Sequence, residues 1–200
     1  MPKIGMEEVR RQQLIDATLA SVEEHGLQGT TISTISKLAG VSSGIISHYF
    51  GGKQALLEAT VRYLLEQLRQ DLLAQVAQGA SPKERLMMIV EANFTRLQSS
   101  GRAAKTWLAF WAQSMHSEDL ARLQRVNAAR LEANLRYSFK ALIDPFAVKM
   151  AAQRTAAMID GFWLRSALNR CEEQGFDLAR ESCKAFIQDM LSKYAKGKRC

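Results

Sequence analysis

Cysteine is scarce in this chain of 200 residues, and its spacing fits no known framework. The three cysteines are Cys171, Cys183 and Cys200, an odd number without a CxxC pair. This argues against both a disulfide framework and a zinc site. Reduced structural thiols are the default expectation, and a redox sensor at Cys171 is the less favoured alternative.

Long apolar runs are also missing. No segment approaches the ~20 apolar residues that a membrane-spanning helix needs, and residues 1–5 lack the apolar stretch of a signal peptide. Only three prolines accompany 47% hydrophobic residues, which suits a packed helical protein with a sizeable core. We therefore expect a cytoplasmic all-α protein.

The sequence carries no pattern typical of an enzyme. Its three histidines, His25, His48 and His116, lie on different predicted elements, without HExxH spacing or a phosphate-binding glycine loop. Ser114, His116 and Asp119 contain the residue types of a catalytic triad, but a capped helix junction explains them better. We predict no catalytic residue, no metal site and no cofactor.

Acidic and basic residues are unevenly distributed. The net charge is +7, yet residues 1–53 hold five basic and five acidic side chains, whereas residues 102–170 hold eleven basic and five acidic. The N-terminal region is thus formally neutral. Overall basicity is weak support for nucleic-acid binding in this chain.

Capping residues and helical periodicity predict about nine helices. Ser81 and Glu84 form a capping-box pattern around Pro82, and Asp144 precedes Pro145 in the same way. The predicted helices cover residues 7–25, 32–39, 43–50, 53–78, 82–100, 102–115, 117–143, 145–170 and 175–194. The fourth would be about 39 Å long, enough to act as a stiff lever.

The segment from Thr31 to Lys53 has the spacing of a helix-turn-helix. Ile32, Ile35, Leu38 and Ala39 recur at helical spacing behind a cap at Thr31, and Gly40 suits the turn. Ser42 is the predicted N-cap of the second helix. In such a motif the second helix enters the major groove of DNA.

The second helix has one small, polar face. Ser43, Gly44, Ser47 and His48 share this arc, and Ile45 at its border could contact a thymine methyl group. Gly44 costs ~1 kcal/mol in a helix relative to alanine, which close approach to DNA would justify. Lys53 opens the next helix, where the macrodipole disfavours a cation unless a phosphate lies beside it. Periodicity alone leaves a solvated helix face as the alternative.

Residues at fixed positions of this segment resemble the TetR family of bacterial repressors. The resemblance rests on Thr31, Ile35, 39–42, Gly44, 48–50 and Lys53, followed by 56–57. It implies an all-helical homodimer with a three-helix DNA-binding domain at 1–52 and a ligand-binding and dimerisation domain at 53–200.

The same resemblance implies roles for individual residues. Thr31, Tyr49 and Lys53 would bind phosphates, while Ser43, Gly44, Ser47 and His48 would face bases. Ser47 stands where the family often has tyrosine, and Gly51-Gly52 replaces a more polar pair.

Aromatic residues and one carboxylate form a candidate ligand-binding set in the C-terminal part. Trp107, Phe110 and Trp111 share one helix face by their spacing, and Phe94 and Trp163 could converge on it. Asp160 lies in an apolar stretch, where a carboxylate needs a partner such as Arg154, Arg165 or a bound cation. Rings and a carboxylate can hold a quaternary ammonium ion. Ordinary core packing is the alternative for the aromatics.

A closer resemblance within the TetR family extends over nearly the whole chain. The segments 1–19, 39–50, 106–116, 122–135 and 157–168 are similar to the choline-responsive repressors of glycine betaine synthesis. This implies operator DNA and choline, or a related quaternary ammonium ligand, as partners. A TetR-type repressor of efflux genes that responds to a lipophilic cation or drug is the alternative. Met158, Phe162, Phe186 and Met190 are the predicted apolar dimer contacts.

Overall fold

The structure is a computed structural model that describes residues 4–75, 79–169 and 173–197, and this part of the chain forms nine α-helices without a strand. The all-α prediction is confirmed. In chain order the helices are α1 (Ile4–Gly29), α2 (Ile32–Ala39), α3 (Ser43–Phe50), α4 (Lys53–Gln75), α5 (Pro82–Asn93), α6 (Gly101–Ser114), α7 (Glu118–Leu142), α8 (Pro145–Leu168) and α9 (Glu173–Lys193).

These helices form two compact units. The first unit comprises residues 1–66 and 101–121, and the second comprises residues 67–100 and 122–200. Helix α6 therefore belongs to the same unit as the N-terminal helices. The boundary that we predicted between residues 52 and 53 separates a DNA-binding domain from a ligand-binding domain, and it stays a prediction.

The N-terminal helices of the first unit surround a small apolar core. Its buried members are Leu14, Ala17, Ile35, Ala39, Ile46 and Leu56, contributed by the first four helices. Leu38, which shares their helical spacing, is 44% exposed, because Ile35 and Ala39 fill the buried face of this two-turn helix.

Helix α1 is kinked near its end. Gly26 has φ 66° and ψ 177°, so the backbone breaks where the helix was predicted to stop, but helical structure continues to Gly29. Buried hydroxyls hold this bend, since Thr30 Oγ1 donates to the Gly26 carbonyl at 2.8 Å and lies 3.2 Å from Ser21 Oγ. The end of α1 is thus fixed by side-chain hydrogen bonds as well as by glycine.

Glu23 of α1 holds the start of α6. Arg102 Nε lies 2.7 Å from Glu23 Oε2, and Lys105 Nζ donates to the Glu23 carbonyl oxygen at 2.5 Å. A Cβ atom at Gly101 would lie 3.1 Å from Glu23 Oε1. A carboxylate at a helix N-terminus offsets the positive end of the dipole, which Arg102 and Lys105 would otherwise reinforce. We call these contacts the Glu23 latch.

Helix α5 starts as predicted but ends early. The capping box is present, with Ser81 N donating to Glu84 Oε2 at 2.7 Å and Glu84 N donating to Ser81 Oγ at 3.2 Å. The helix ends at Asn93 instead of near residue 100. The hydroxyls of Ser99 and Ser100 each bond a backbone carbonyl three or four residues earlier, at 2.8 Å, which favours turns over a continuous helix.

The second unit packs α8 against α9 and α5 against α9. Glu91 of α5 lies 3.6 Å from Arg180 Nε of α9 and also pairs with Lys184. Asp144 occupies the N-cap position of α8, but its side chain makes no capping hydrogen bond there. Its backbone N–H donates instead to the Tyr194 carbonyl at 3.0 Å, which fastens the α7–α8 corner to the end of α9.

No helix among the described residues is long and apolar enough to cross a membrane. Helix α4 extends to Gln75, about 35 Å at 1.5 Å per residue, and residues 76–78 of the predicted helix lie outside the described part. Cys183 is buried, which raises the pKa of its thiol to about 12. Cys171 and Cys200 lie outside the described residues, so the redox prediction at Cys171 stays a prediction.

Candidate DNA-binding surface and ligand-binding residues

Local hydrogen bonds stabilise both ends of α2, including the turn that leads to α3. Thr31 Oγ1 accepts from the Thr34 N–H at 3.1 Å, and Thr34 Oγ1 accepts from the Thr31 N–H at 2.8 Å. At the other end of α2, Gly40 has φ 62°, and its N–H donates to the Lys37 carbonyl. The predicted cap and turn are confirmed. The Thr31 hydroxyl also donates to Thr34 Oγ1 at 3.3 Å, a long hydrogen bond that it would exchange for one to a phosphate.

Helix α3 presents its predicted polar face to solvent. Ser43, Gly44, Ser47 and His48 are exposed, whereas Ile46 on the opposite side is completely buried. Ile45 is half-buried and packs against the core of the first unit, so only part of its side chain could reach a thymine methyl group. The structure thus places the four residues predicted to face bases on one accessible surface.

Ser42 is at the N-cap position of α3 but does not cap it through its side chain. The prediction of a capping hydroxyl is wrong. The next residue, Ser43, does make a side-chain hydrogen bond, because Ser36 Oγ of α2 donates to Ser43 Oγ at 3.3 Å. The exposed Ser42 hydroxyl makes no hydrogen bond to the described residues.

Gly44 has no steric reason to be glycine within this protein. A Cβ atom built on it would meet no protein atom within 4 Å, and its backbone is helical. Alanine would favour the helix by about 1 kcal/mol. The missing side chain therefore leaves room for something outside the chain.

The Gly51-Gly52 pair joins α3 to α4 through unusual backbone conformations. Gly51 has φ 79° and caps α3, and Gly52 has φ 147°. Both values lie in the region of positive φ that residues other than glycine rarely adopt. The pair separates the end of α3 at Phe50 from Lys53, the first residue of α4.

A residue that the sequence patterns did not single out contacts the end of α3. Arg11 of α1 lies over the rings of Tyr49 and Phe50, and Glu7 pairs with it one turn earlier. The spacing of Glu7 and Arg11 is visible in the sequence as an i, i+4 pair. The aromatic contact is not, because it joins residues almost 40 positions apart.

The predicted aromatic face of α6 is present in the first unit. The Trp107 ring lies 5.7 Å from that of Phe110 and 6.4 Å from that of Trp111, measured between centroids. Trp107 and Phe110 are 5% and 3% exposed, and Trp111 is half-buried. In this conformation the first two rings are part of the packed interior.

Phe110 also lines an apolar crevice of the first unit. The crevice encloses about 340 Å³, including space open to solvent, between side chains of α1, α4, α6 and the start of α7. Thr106 is a buried lining residue, and its hydroxyl has no hydrogen-bond partner among the described residues. The crevice is otherwise mainly apolar, with Gln54 and Gln113 as its amide-bearing lining residues.

The other three predicted ligand-binding residues belong to the second unit. Phe94 caps the C-terminal end of α5 and is buried, and Trp163 of α8 is buried with its ring 6.0 Å from that of Phe176. Asp160 is one turn before Trp163. Whether any of the six residues contacts a ligand stays a prediction.

Asp160 differs from the expectation of a paired, buried carboxylate. It keeps solvent exposure, and neither Arg154 nor Arg165 pairs with it in the described structure. Desolvation by surrounding protein atoms nevertheless raises the pKa of Asp160 to about 6. An accessible carboxylate in such surroundings is able to attract a cation, since no arginine neutralises it.

The residues that mimic a catalytic triad form a helix junction. Ser114 Oγ donates to the Trp111 carbonyl at 2.7 Å, His116 is exposed in the turn, and Ser117 Oγ accepts from the Leu120 N–H at 3.5 Å. This agrees with the capped-junction interpretation. No group of three His, Cys, Asp or Glu side chains among the described residues could hold a metal ion.

Two protein families match separate parts of the chain. Residues 14–60 match the family described as bacterial regulatory proteins, tetR family. Residues 82–192 match the BetI-type transcriptional repressor C-terminal family. The first match contains the complete helix-turn-helix, and the second extends from α5 almost to the end of α9.

Individual relatives agree with these matches. The chain is 48% identical to the HTH-type transcriptional regulator BetI 2 of Chromohalobacter salexigens, covering 97% of this chain and 94% of that protein. It is 52% identical to BetI of Serratia proteamaculans, covering 84% and 86%. A crystal structure of a transcriptional regulator from Saccharomonospora viridis in complex with choline has the same fold, with a TM-score of 0.75, 20% identity and coverage of 89% and 95%.

Proposed function

The chain belongs to the TetR family of bacterial transcriptional regulators and has a BetI-type C-terminal domain, and from this membership we propose which genes it regulates and which ligand it binds. It is a BetI-type repressor and not an enzyme. We propose that it represses the glycine betaine synthesis genes, which encode choline oxidation, and that choline modulates this repression. We also propose that it acts in the cytoplasm.

The observation that carries this proposal is the close similarity to BetI proteins over both parts of the chain. At 48% identity over 97% of the chain, the similarity includes the C-terminal part as well as the DNA-binding motif. The Saccharomonospora neighbour shares only the fold at 20% identity, and its crystallisation in complex with choline supports the proposed ligand class.

For DNA binding, we propose that the exposed face of α3 reads base edges in the major groove. Ser43, Ser47 and His48 offer hydrogen-bonding groups there, Gly44 permits close approach, and Ile45 offers an apolar edge. The proposed backbone contacts are Thr31, Ser42, Tyr49 and Lys53. Phosphate contacts at both ends of α3 would fix its register on the duplex.

For ligand binding, we propose the aromatic rings and the carboxylate already described. Choline cannot donate N–H hydrogen bonds from its ammonium group, so it depends on charge and on cation–π attraction of about 0.5–2 kcal/mol per ring. The candidates are Trp107, Phe110 and Trp111 in the first unit, and Phe94, Asp160 and Trp163 in the second. Each group is tested by its own variants.

We propose that the repressor acts as a homodimer on a pseudo-palindromic operator. Two recognition helices would then enter successive major grooves, about 34–36 Å apart. Met158, Phe162 and Phe186 are half-buried on α8 and α9 and are the proposed apolar contacts, whereas Met190 is 7% exposed. By thermodynamic linkage, choline must then bind free and operator-bound repressor with affinities that differ by the same factor by which it changes operator affinity.

Footprinting tests the DNA and the ligand together. Purified protein is incubated with DNA from upstream of its own gene and of neighbouring choline-oxidation genes, with and without choline chloride. We expect a symmetric protected region whose protection changes with choline. Sodium chloride at the same ionic strength is the necessary control, because added salt alone weakens DNA binding.

The outcome also distinguishes the alternative repressor. A protected region that responds to a lipophilic cation or drug but not to saturating choline would assign the chain to another ligand. Asp160→Asn and Trp111→Leu should each weaken choline binding in calorimetry, with Arg154→Gln as the control on α8. A monomer at micromolar concentration would contradict the proposed dimer.

A further inference from the structure

Arg11 on α1 is placed against the end of the recognition helix in a way that core packing does not require. Its guanidinium carbon lies 5.1 Å from the centroid of the Phe50 ring and 5.9 Å from that of Tyr49. Its Nε atom lies 3.2 Å from Glu7 Oε1. The side chain keeps 43% of its surface exposed.

These contacts order the guanidinium but leave the N–H donors of its terminal nitrogens without hydrogen bonds to the described residues. Glu7 accepts from Nε, and neither terminal nitrogen of Arg11 makes a hydrogen bond to the described residues. Those two nitrogens carry four N–H donors in a planar fork. A guanidinium already held by rings and by a carboxylate loses little further freedom when it binds an anion.

We propose that Arg11 binds a backbone phosphate of the operator, next to the phosphate proposed for Tyr49. This inference rests on the proposed DNA-binding surface and adds a residue of α1 to it. The first 53 residues are formally neutral, so phosphate binding depends on single, well-placed cations. Arg11 is such a cation, adjacent to Tyr49, and a fork of N–H donors fits two phosphate oxygens.

Glu7 gives the proposal a second consequence. Its carboxylate holds Arg11 in place, but it also brings a negative charge close to the proposed phosphate. Like charges repel, so Glu7 should weaken DNA binding even though it orders the arginine. Arg11 and Glu7 are therefore expected to have opposite effects on operator affinity.

The test uses two pairs of neighbouring residues with matched chemistry. Arg11→Gln is compared with Arg10→Gln, because Arg10 Nη1 bonds Gln13 Oε1 at 2.6 Å along α1 and does not contact α3 rings in the described structure. Glu7→Gln is compared with Glu8→Gln, where Glu8 is exposed. Dissociation constants are measured over a series of KCl concentrations, on the footprinted operator and on a scrambled duplex of equal length.

We expect Arg11→Gln to weaken binding to both duplexes about tenfold. The slope of log K against log [KCl] should fall by about two, because each protomer of the proposed dimer loses one phosphate contact. Arg11→Lys should keep most of the slope. Glu7→Gln should tighten binding several-fold, about 0.5–1 in log K for a nearby exposed charge, and the Arg10 and Glu8 variants should change little.

Equal effects of the Arg10 and Arg11 variants would overturn the proposal, because they would indicate only the general field of the helix. An unchanged salt slope for Arg11→Gln would do the same and would indicate that the arginine merely packs on the rings. Circular dichroism melting verifies that each variant is folded at the assay temperature. If the wild-type chain bound no upstream fragment, the proposed function itself would fail, which is a different result.

Discussion

The polar face of α3 and the aromatic face of α6 lie in the same unit but differ in what they contribute to the fold. Ser47 and His48 are exposed, and Ser47 could be changed without loss of packing. Trp107 and Phe110 are almost completely buried, with their rings in contact. The surface proposed to read DNA is thus accessible in the protein alone, while the rings proposed to bind a ligand also hold the protein together.

The largest expected difference between the two faces is in stability. Trp107→Ala should lower the free energy of unfolding by about 3–5 kcal/mol, because a large buried ring is removed and a cavity is left. Ser47→Ala on α3 should change it by no more than about 0.5 kcal/mol. Urea denaturation measures both. A loss below about 1 kcal/mol for Trp107→Ala would show that the ring contributes little to packing.

Lys53 should separate DNA affinity from stability. Lys53→Gln removes a cation from the first turn of α4, so it should weaken operator binding about tenfold through a lost phosphate contact. The same change should stabilise the fold by about 0.3–1 kcal/mol. Lys83→Gln is the matched control, because Lys83 also lies in the first turn of a helix, in the second unit. If both variants left operator affinity unchanged, Lys53 would not bind phosphate.

Asp160 should make stability depend on pH. Its pKa is raised to about 6, above the ~3.9 of an unfolded chain, so the folded protein binds the proton more tightly. The stabilising contribution is present below about pH 4 and is lost as the pH rises through about 6. Asp160→Asn should therefore stabilise the protein by about 1 kcal/mol at neutral pH, after allowance for solvent exposure, and hardly at about pH 4. Thermal melts at the two pH values decide this, and equal effects at both would contradict it.

The smallest expected effect belongs to Gly44. Gly44→Ala should stabilise the fold by about 0.5–1 kcal/mol, because the helix gains a better helix former and no clash arises. Operator binding should weaken at the same time, since the added methyl group projects into the proposed DNA interface. Melting curves and operator titrations on one preparation would show the gain in stability and the loss of operator affinity. Unchanged operator affinity would mean that the glycine does not serve close approach.

The helix-turn-helix could be predicted almost residue by residue because its signals are local. Thr31 and Gly40 act through hydrogen bonds within a few positions of the chain, and the polar face of α3 follows from helical spacing alone. The end of α5 was predicted too late, because no proline or glycine marks Asn93, where the helix ends. The side-chain caps predicted at Ser42 and Asp144 are absent, because residue type alone does not decide where a side chain points.

The candidate ligand-binding residues show the limit of sequence patterns more clearly. The shared face of Trp107, Phe110 and Trp111 follows from their spacing, and the ring distances agree with it. The pairing of Asp160 depends on tertiary structure, which periodicity does not contain. Arg11 was missed for the same reason, since its aromatic partners lie on a different helix.

The Glu23 latch bears on how this repressor could be taken apart and recombined. The carboxylate that receives Arg102, and the carbonyl that receives Lys105, sit on α1, about 80 positions earlier in the chain. A gene fragment ending after the helix-turn-helix would leave the α6-facing side of α1, including buried Val22, without its cover. Chimaeric regulators built by exchanging DNA-reading modules should therefore carry residues 101–121 together with the N-terminal helices. The unit that can be exchanged between regulators therefore consists of residues that are neighbours in the fold, and no single boundary in the sequence delimits it.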